Sequence, residues 1–417
     1  MAELAGLSLY FHIPFCLSRC RYCDFNSYAG LGWLIPQYVD ALQEEMQLYA
    51  KAAWQLEVIT AYFGGGTPSL LPQEAVARLL ETAARLFHAS PEMEVTLEAN
   101  PGTVKPSFLA QLRQSGVNRL SLGVQSFSDT ELRLLGRIHS SAEAREAYRA
   151  ARQAGFQNIN IDLLYALPRQ TIKEWQSSFA AALRLAPDHL SLYPLTLEPG
   201  TPLSDAVAAG SLPPPDSDLA ADIYLLASDR LAGEGYIHYE ISNWALPRRE
   251  CRHNLTYWKN GLYLGFGAGA HSHLGGYRWA NILSPTEYVA NLDRAKTSPA
   301  QQPGLPSPVT ATIEPVDRDL EIADSVILGL RLEEGIDFAS FARRFGIELP
   351  ALYRQQIEEL TGMGLIAADG RGIRLTARGR LLGNEVFLRF LPQHEPGMVS
   401  PPGGEFALFS SGVPQSQ

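Results

Sequence analysis

Residues 7–23 of the chain read Leu-Ser-Leu-Tyr-Phe-His-Ile-Pro-Phe-Cys-Leu-Ser-Arg-Cys-Arg-Tyr-Cys. The apolar and aromatic start of this stretch predicts a β-strand over Ser8–Ile13. The cysteines that follow at C-x3-C-x2-C spacing are Cys16, Cys20 and Cys23. Three thiolates so placed can bind three irons of a [4Fe–4S] cluster and leave the fourth iron open to a small molecule. The alternative is a zinc site completed by the remote Cys251 or by a histidine, although zinc sites usually contain a second C-x2-C pair.

The composition is that of a globular protein, with 46% of its 417 residues hydrophobic and 19% charged. The net charge of −10 opposes binding to a polyanion, so we expect no nucleic-acid partner. No apolar run approaches the roughly 18 residues of a membrane-spanning helix, and we find no signal-peptide pattern. Four cysteines are too few for a disulfide scaffold. We therefore expect a cytoplasmic protein whose cysteine triplet binds metal.

Short apolar strands alternate with longer amphipathic helices through the first half of the chain. The predicted strands are Ser8–Ile13, Val58–Phe63, Val95–Ala99, Arg119–Val124, Ile159–Leu164 and His189–Pro194. The predicted helices are Gln37–Ala50, Gln73–His88, Pro106–Ser115, Asp129–Leu135, Ala142–Ala154 and Ile172–Leu185. Six such units predict an α/β fold with a parallel sheet, best described as a partial (β/α)6 barrel with its active face at the carboxyl ends of the strands. A doubly wound open sheet is the alternative.

The rest of the chain divides by composition. We predict a barrel domain over 1–235, an aromatic and glycine-rich segment over 236–300, a linker over 301–316, a C-terminal domain over 317–390 and a disordered tail over 391–417. In the C-terminal domain the pattern predicts three helices and a hairpin, a winged-helix-like α+β module. The helices are Arg318–Arg331, Phe338–Phe345 and Leu349–Met363, and the hairpin turns at Asp369-Gly370. Acidic residues outnumber arginines there, which favours a solvated or interaction surface over a nucleic-acid site.

A glycine-rich motif, Phe63-Gly-Gly-Gly-Thr-Pro68, follows the cysteine motif at the end of the second predicted strand. Together with Leu9–Cys16 and Cys20-Arg-Tyr-Cys23, it resembles the signatures of the radical SAM (S-adenosylmethionine) superfamily. The resemblance implies a radical SAM barrel with one [4Fe–4S] cluster, whose open iron chelates the amino and carboxylate groups of SAM. Glycines at this point let the backbone approach a ligand closely.

Polar residues stand at or near the ends of the next strands, where a barrel does chemistry. The whole ordered set, from Leu9 to about Phe390, resembles the branch of the superfamily that contains the oxygen-independent coproporphyrinogen III dehydrogenase HemN and the heme chaperones HemW. By this resemblance the three cysteines bind the cluster. The positions implied to bind SAM are Tyr10, Tyr22, Gly65, Gly66, Thr67, Glu98, Gln125, Arg137 and Asp162. Some of these contact a second SAM in the dehydrogenase.

Two features separate the branches. The dehydrogenase has the pattern C-x3-C-x2-C-x-C, with a fourth cysteine two positions after the third, whereas here Asp24 and Phe25 follow the third cysteine. The dehydrogenase also has an extension ahead of the cluster motif. The second feature is residues 251–258, Cys-Arg-His-Asn-Leu-Thr-Tyr-Trp, which look like the H-N-x-x-Y-W motif of the heme chaperones. The positions implied to contact heme are His253, Asn254, Tyr257 and Trp258. An imidazole can ligate heme iron and aromatic rings can face the macrocycle, with Cys251, His271 and His273 as alternative ligands.

The resulting hypothesis is a heme chaperone on a radical SAM scaffold. It would bind heme and deliver it to acceptor hemoproteins, of which respiratory, membrane-associated ones are those the resemblance suggests, and it would need an electron donor for the cluster. One alternative is an enzyme, either an oxidative decarboxylase of coproporphyrinogen III or another radical SAM enzyme of porphyrin metabolism. The other is a zinc- or cluster-stabilised scaffold without turnover.

Overall fold

A computed structural model describes residues 6–296 and 306–392 of the chain. Its strands are β1 (Gly6–Ile13), β2 (Phe15–Cys16), β3 (Tyr28–Ala29), β4 (Glu57–Gly65), β5 (His88–Ala99), β6 (Arg119–Gln125), β7 (Ile159–Tyr165), β8 (His189–Pro194), β9 (Ile237–Glu240), β10 (Asn243–Ala245), β11 (Leu262–Phe266), β12 (His271–Leu274), β13 (Tyr277–Asn281), β14 (Thr310–Pro315), β15 (Ile336–Asp337), β16 (Ile366–Ala368) and β17 (Gly372–Leu375). Twelve of them form one sheet in the order β14-β13-β12-β11-β1-β4-β5-β6-β7-β8-β10-β9.

The α-helices cover the outside of this sheet or build the C-terminal part. They are α1 (Ile35–Ala53), α2 (Gln73–Leu86), α3 (Pro106–Gln114), α4 (Asp129–Leu135), α5 (Ser141–Gln153), α6 (Ile172–Leu183), α7 (Pro202–Ala208), α8 (Ser217–Gly233), α9 (Arg252–Trp258), α10 (Pro285–Lys296), α11 (Arg318–Gly329), α12 (Phe338–Phe345), α13 (Leu349–Leu352), α14 (Arg354–Gly362), α15 (Ala377–Leu381) and α16 (Gly383–Phe387). Among the described residues, no helix combines the length and the apolar character needed to cross a membrane.

The six predicted strands all form and pair in parallel, β1 with β4 and so on through β8. The predicted α/β class and open, partial barrel are therefore confirmed. Local signals explain the helix starts: Ser140 and Thr171 each begin a capping box, at α5 and α6. At the end of α4, Gly136 adopts φ +72°, the left-handed C-terminal conformation that glycine favours.

The aromatic and glycine-rich segment extends the same sheet. Strand β11 pairs in parallel with β1, on the side opposite β4, and β12, β13 and β14 follow it as antiparallel neighbours. Glycines at positive φ, such as Gly267 and Gly275, provide the sharp turns between these short strands. The structure differs from the sequence expectation at residues 310–315, within the predicted linker, which form β14 because their backbone completes the edge of β13.

The C-terminal part contains the expected helices and hairpin, with three differences. The predicted helix Leu349–Met363 is divided into α13 and α14 at Tyr353. Strand β15 adds a third strand to the hairpin, and α15 and α16 follow it. Its core is a separate apolar cluster that includes Val326, Phe341 and Ile373. Most of the predicted tail, from residue 393 onward, lies outside the described residues.

Candidate cluster and cofactor site

The three cysteines of the triplet are each partly exposed. They lie in one cavity at the carboxyl ends of the barrel strands, which we call the cluster cavity. Ends of β4, β5 and β6 supply the other walls. Of the residues predicted to bind SAM, those that line this cavity are Tyr22, Gly65, Gly66, Thr67, Glu98, Gln125 and Arg137. The fold therefore brings seven of the nine predicted SAM positions and all three thiols to one place, although they are far apart in sequence.

Polar neighbours surround the thiols. The Thr67 hydroxyl donates to Cys16 Sγ at 3.5 Å, and the Arg137 guanidinium donates to Cys20 Sγ at 3.3 Å. Burial raises the pKa of the Cys16 and Cys23 thiols, while the hydrogen bonds from nearby hydroxyls act in the opposite direction. A buried cation and hydroxyl donors next to sulfur stabilise thiolates, the form that binds metal.

Three buried polar atoms in this site lack a hydrogen-bond partner among the described residues. They are the Tyr22 hydroxyl, Gln125 Oε1 and Arg137 Nε. Gln125 also adopts φ +67°, a conformation that costs energy for a residue with a side chain. Because buried polar groups are nearly always paired, unpaired atoms gathered around one cavity indicate that a polar ligand completes them.

The backbone of Gly65 and Gly66, which we call the glycine floor, borders the same cavity closely. Gly65 has φ +110°, and a Cβ there would lie 2.5 Å from the His12 ring. A Cβ on Gly66 would lie 2.9 Å from the carbonyl oxygens of Ile13 and Phe15. No side chain fits at either position, so the backbone itself borders the space available to a ligand.

Glu98 is the carboxylate of the site. It accepts a hydrogen bond from the Tyr62 hydroxyl at 2.7 Å and one from the Gly65 amide at 3.2 Å. Burial raises its pKa to about 8, with the Tyr62 hydrogen bond acting against the rise. A buried carboxyl that resists ionisation gains most from a cationic partner, such as the amino group of a bound ligand.

The donor set fits a polynuclear cluster better than a single ion. Within the part of the chain that the structure describes, no three His, Cys, Asp or Glu side chains converge as one metal ion requires. Zinc would draw its sulfurs to about 2.3 Å from a single centre, whereas a cluster holds each thiolate on a different iron. The three thiols of the cysteine loop line one cavity and fit a cluster in which each of them binds a different iron.

Two predicted SAM positions lie deeper in the barrel and do not line this cavity. The Tyr10 hydroxyl bonds His12 Nδ1 at 3.1 Å, and the other ring nitrogen of His12 bonds the Asn26 carbonyl at 2.9 Å. Asp162 is fully buried and accepts from Asn160 at 2.6 Å, and burial raises its pKa to about 6. These side chains lie beneath the cavity. His12, which the sequence analysis missed, joins β1 to the cysteine loop through its hydrogen bond to Asn26.

The H-N-x-x-Y-W motif forms α9, which closes the opposite end of the barrel. His253 is 1% exposed, and both of its ring nitrogens are occupied: Nδ1 by the Thr60 hydroxyl at 2.7 Å and Nε2 by the Tyr257 hydroxyl at 2.9 Å. Asn254 is also buried. Cys251 is fully buried with Sγ 3.7 Å from Glu94, and burial raises its pKa to about 12. In this arrangement neither His253 nor Cys251 presents a free ligand atom.

Tyr257 and Trp258 of the same motif face outward into a second cavity, which we call the Trp258 cavity. It has a volume of about 570 Å³ and lies between α9, strands β11–β14 and the C-terminal helices α11 and α16. Its aromatic lining residues are Tyr257, Trp258, Tyr263, Trp279 and Phe387. The guanidinium of Arg331 lies 4.4 Å from the centre of the Trp258 ring. The sequence analysis missed this cavity because its walls come from distant segments, and no local pattern marks Arg331.

Comparisons with known proteins agree with this geometry. Family models of the radical SAM superfamily and of the HemN C-terminal domain match residues 10–182 and 316–382. The heme chaperone HemW of Bacillus subtilis (strain 168) is 37% identical over 385 residues, which cover 92% of this chain and 99% of that protein. The chain belongs to the HemW family of radical SAM proteins. HemW of Escherichia coli (strain K12) is 35% identical over 94% of this chain and 100% of its own length.

The solved structure of HemN from E. coli, described as a coproporphyrinogen III oxidase and radical SAM enzyme, superposes with a TM-score of 0.79 at 26% identity. The match covers 93% of this chain and 90% of that one. Radical SAM membership implies a [4Fe–4S] cluster and SAM. In this HemW-family chain, the three thiols, the unpaired polar atoms and the glycine floor fit both groups.

Proposed function

We propose that the protein is a heme chaperone that binds heme and delivers it to acceptor hemoproteins. The observation that carries the proposal is the near full-length match to proteins named heme chaperone HemW, at 99% and 100% of the relatives' own lengths. In this proposal Cys16, Cys20 and Cys23 hold the cluster, and the residues around their cavity bind SAM. Respiratory acceptors, an electron donor for the cluster and a cytoplasmic location are finer parts of the same proposal.

The H-N-x-x-Y-W motif would contribute to heme binding mainly through its two outward-facing rings. Tyr257 and Trp258 form one wall of an aromatic cavity whose volume falls within the roughly 300–1,000 Å³ typical of small-molecule sites. His253 would act as a positioning residue, since its Nε2 bonds the Tyr257 hydroxyl and its ring stacks on Tyr62 with centroids 4.9 Å apart. Asn254 would help to fix the helix that carries these rings.

The test is a hemin titration of the anaerobically reconstituted protein, followed by transfer to an apo-hemoprotein. We expect one hemin per chain and transfer to the acceptor. Trp258→Ala should weaken binding about tenfold or more, equivalent to about 1.4 kcal/mol. The matched control is Trp54→Ala, which removes an indole that is 66% exposed and lies outside the cavity.

A parallel sample contains coproporphyrinogen III, SAM and a reductant. Oxidative decarboxylation without specific hemin binding would overturn the chaperone proposal in favour of the dehydrogenase. Hemin binding without decarboxylation would support it. If the Trp258→Ala variant and the wild type bind hemin with equal affinity, heme does not bind at this motif.

A further inference from the structure

The Trp258 cavity contains features that the H-N-x-x-Y-W motif does not supply. Besides aromatic rings it contains the half-buried Arg331, whose Nε is buried and has no hydrogen-bond partner among the described residues. Arg331 forms no ion pair among the described residues, although the buried Glu240 carboxylate is close enough to act against the lowering of its pKa by burial. A guanidinium that lines the cavity and forms no ion pair with the described residues can donate hydrogen bonds to an anionic group of a ligand.

The second cation of the cavity is already neutralised. Arg278 forms an ion pair with Asp324 and donates to Asn260 Oδ1 at 3.1 Å. Its role is to join β13 to α11, the first helix of the C-terminal part. The cation of the cavity that has no direct ion pair among the described residues is therefore Arg331, which stands against the face of Trp258.

A histidine at the rim of the cavity has free ring nitrogens. His271 begins β12, and within the described residues it makes no hydrogen bond and no ion pair. Its cross-strand neighbour is Ala280, which has a small side chain, and His271 itself is exposed. Packing around the ring lowers the pKa of His271, with the Glu314 carboxylate acting against the shift, while the residue stays exposed to solvent.

The neighbouring histidines differ from His271 in this respect. Both nitrogens of His253 are bonded, and His273, two positions along β12, is 6% exposed with Nδ1 3.3 Å from the Gly261 carbonyl. Ligation by His253 would require breaking two buried hydrogen bonds, including the one that orients Tyr257. His271 can bind a metal without disturbing its surroundings.

We propose that heme binds in the Trp258 cavity with His271 as an axial ligand of its iron and Arg331 opposite a propionate. This inference rests on the proposed function and names the ligand-bearing residue within it. Flat aromatic walls suit a porphyrin, an exposed imidazole without a hydrogen bond suits its iron, and a guanidinium without an ion pair suits its carboxylates.

The experiment compares hemin binding to His271→Ala, His253→Ala and the wild type, each anaerobically reconstituted and reduced. Resonance Raman excited in the heme band reports the iron–histidine bond, and difference absorbance reports affinity. The matched control is His88→Ala, another exposed histidine, at the start of β5 and outside the cavity. Iron content and circular dichroism verify that each variant folds and retains its cluster.

We expect His271→Ala to lose the iron–histidine signal and to bind hemin about 10- to 100-fold more weakly. Added imidazole should restore the signal in this variant, since it can occupy the vacated position. His88→Ala should keep both the signal and the affinity. A folded His253→Ala should keep the iron–histidine signal but bind hemin more weakly, because Tyr257 loses the hydrogen bond that positions it. A wild-type signal in His271→Ala, or its loss only in a folded His253→Ala, overturns the assignment of the ligand. Absence of hemin binding by the wild type overturns the proposed function itself.

Discussion

Replacing Gly65 with alanine tests the glycine floor of the cluster cavity. The backbone at Gly65 has φ +110°, and holding a residue with a side chain there costs about 1–3 kcal/mol. The new Cβ would also lie 2.5 Å from the His12 ring. That ring is fixed by hydrogen bonds to Tyr10 and to the Asn26 carbonyl. Losing both adds about 1–3 kcal/mol, so the free energy of unfolding should fall by about 2–6 kcal/mol.

Gly116→Ala is the matched control. Gly116 has φ +102°, but a Cβ there would meet no atom within 4 Å. It should therefore cost only the backbone contribution of about 1–3 kcal/mol. Urea unfolding followed by circular dichroism gives the comparison, and iron content after reconstitution shows whether moving His12 disturbs the cysteine loop. If both variants lower the urea midpoint equally, the contact between residue 65 and His12 does not constrain this site.

Three further predictions concern the cluster, a buried carboxyl and the attachment of the C-terminal part. Cys16→Ser should lose most of its iron after anaerobic reconstitution, whereas Cys251→Ala, which removes a thiol outside the cluster cavity, should retain it. Burial raises the pKa of Glu98 from an ordinary 4.5 to about 8. The carboxyl therefore loses its proton at a lower pH in the unfolded chain than in the folded chain, so the free energy of unfolding falls as pH rises from about 4.5 to 8. In Glu98→Gln the urea midpoint should depend less on pH between pH 7 and 8. An unchanged pH dependence would refute the raised pKa of Glu98. Arg278→Met should lower the free energy of unfolding by about 3–5 kcal/mol because it leaves Asp324 buried without its cation. The double variant with Asp324→Leu should recover much of that loss in the same urea assay. If it recovers none, the lost ion pair is not the cause.

The cluster loop could be predicted because its information is local. Cys16, Cys20 and Cys23 lie within eight residues, and the polar residues of the cavity follow barrel strands whose pattern is plain in the sequence. In a parallel sheet the carboxyl ends of neighbouring strands meet at one edge. The strand pattern therefore puts Glu98 and Gln125 at the same edge of the sheet as the thiols, and the family resemblance implies that they bind SAM.

The role of the H-N-x-x-Y-W motif depended on contacts that no local pattern encodes. His253 bonds Thr60, which is 193 positions away in sequence. That hydrogen bond occupies Nδ1 of His253, an atom that the sequence alone suggested was available to bind a metal. Likewise, the pairing of β11 with β1 brings residues 262–281 to the side of the barrel, which the glycine-rich composition did not indicate.

The sequence by itself determined the barrel strands, the helix caps and the spacing of the thiols, since each follows from side-chain periodicity and short-range geometry. Only the tertiary structure decided which polar atoms are satisfied and which remain free. Among the described residues, Arg331 forms no ion pair and His271 no hydrogen bond, a result of how α9, β12 and α11 pack around one cavity. Hydrogen-bond satisfaction is a property of the packed chain, so it cannot be read from residue order alone.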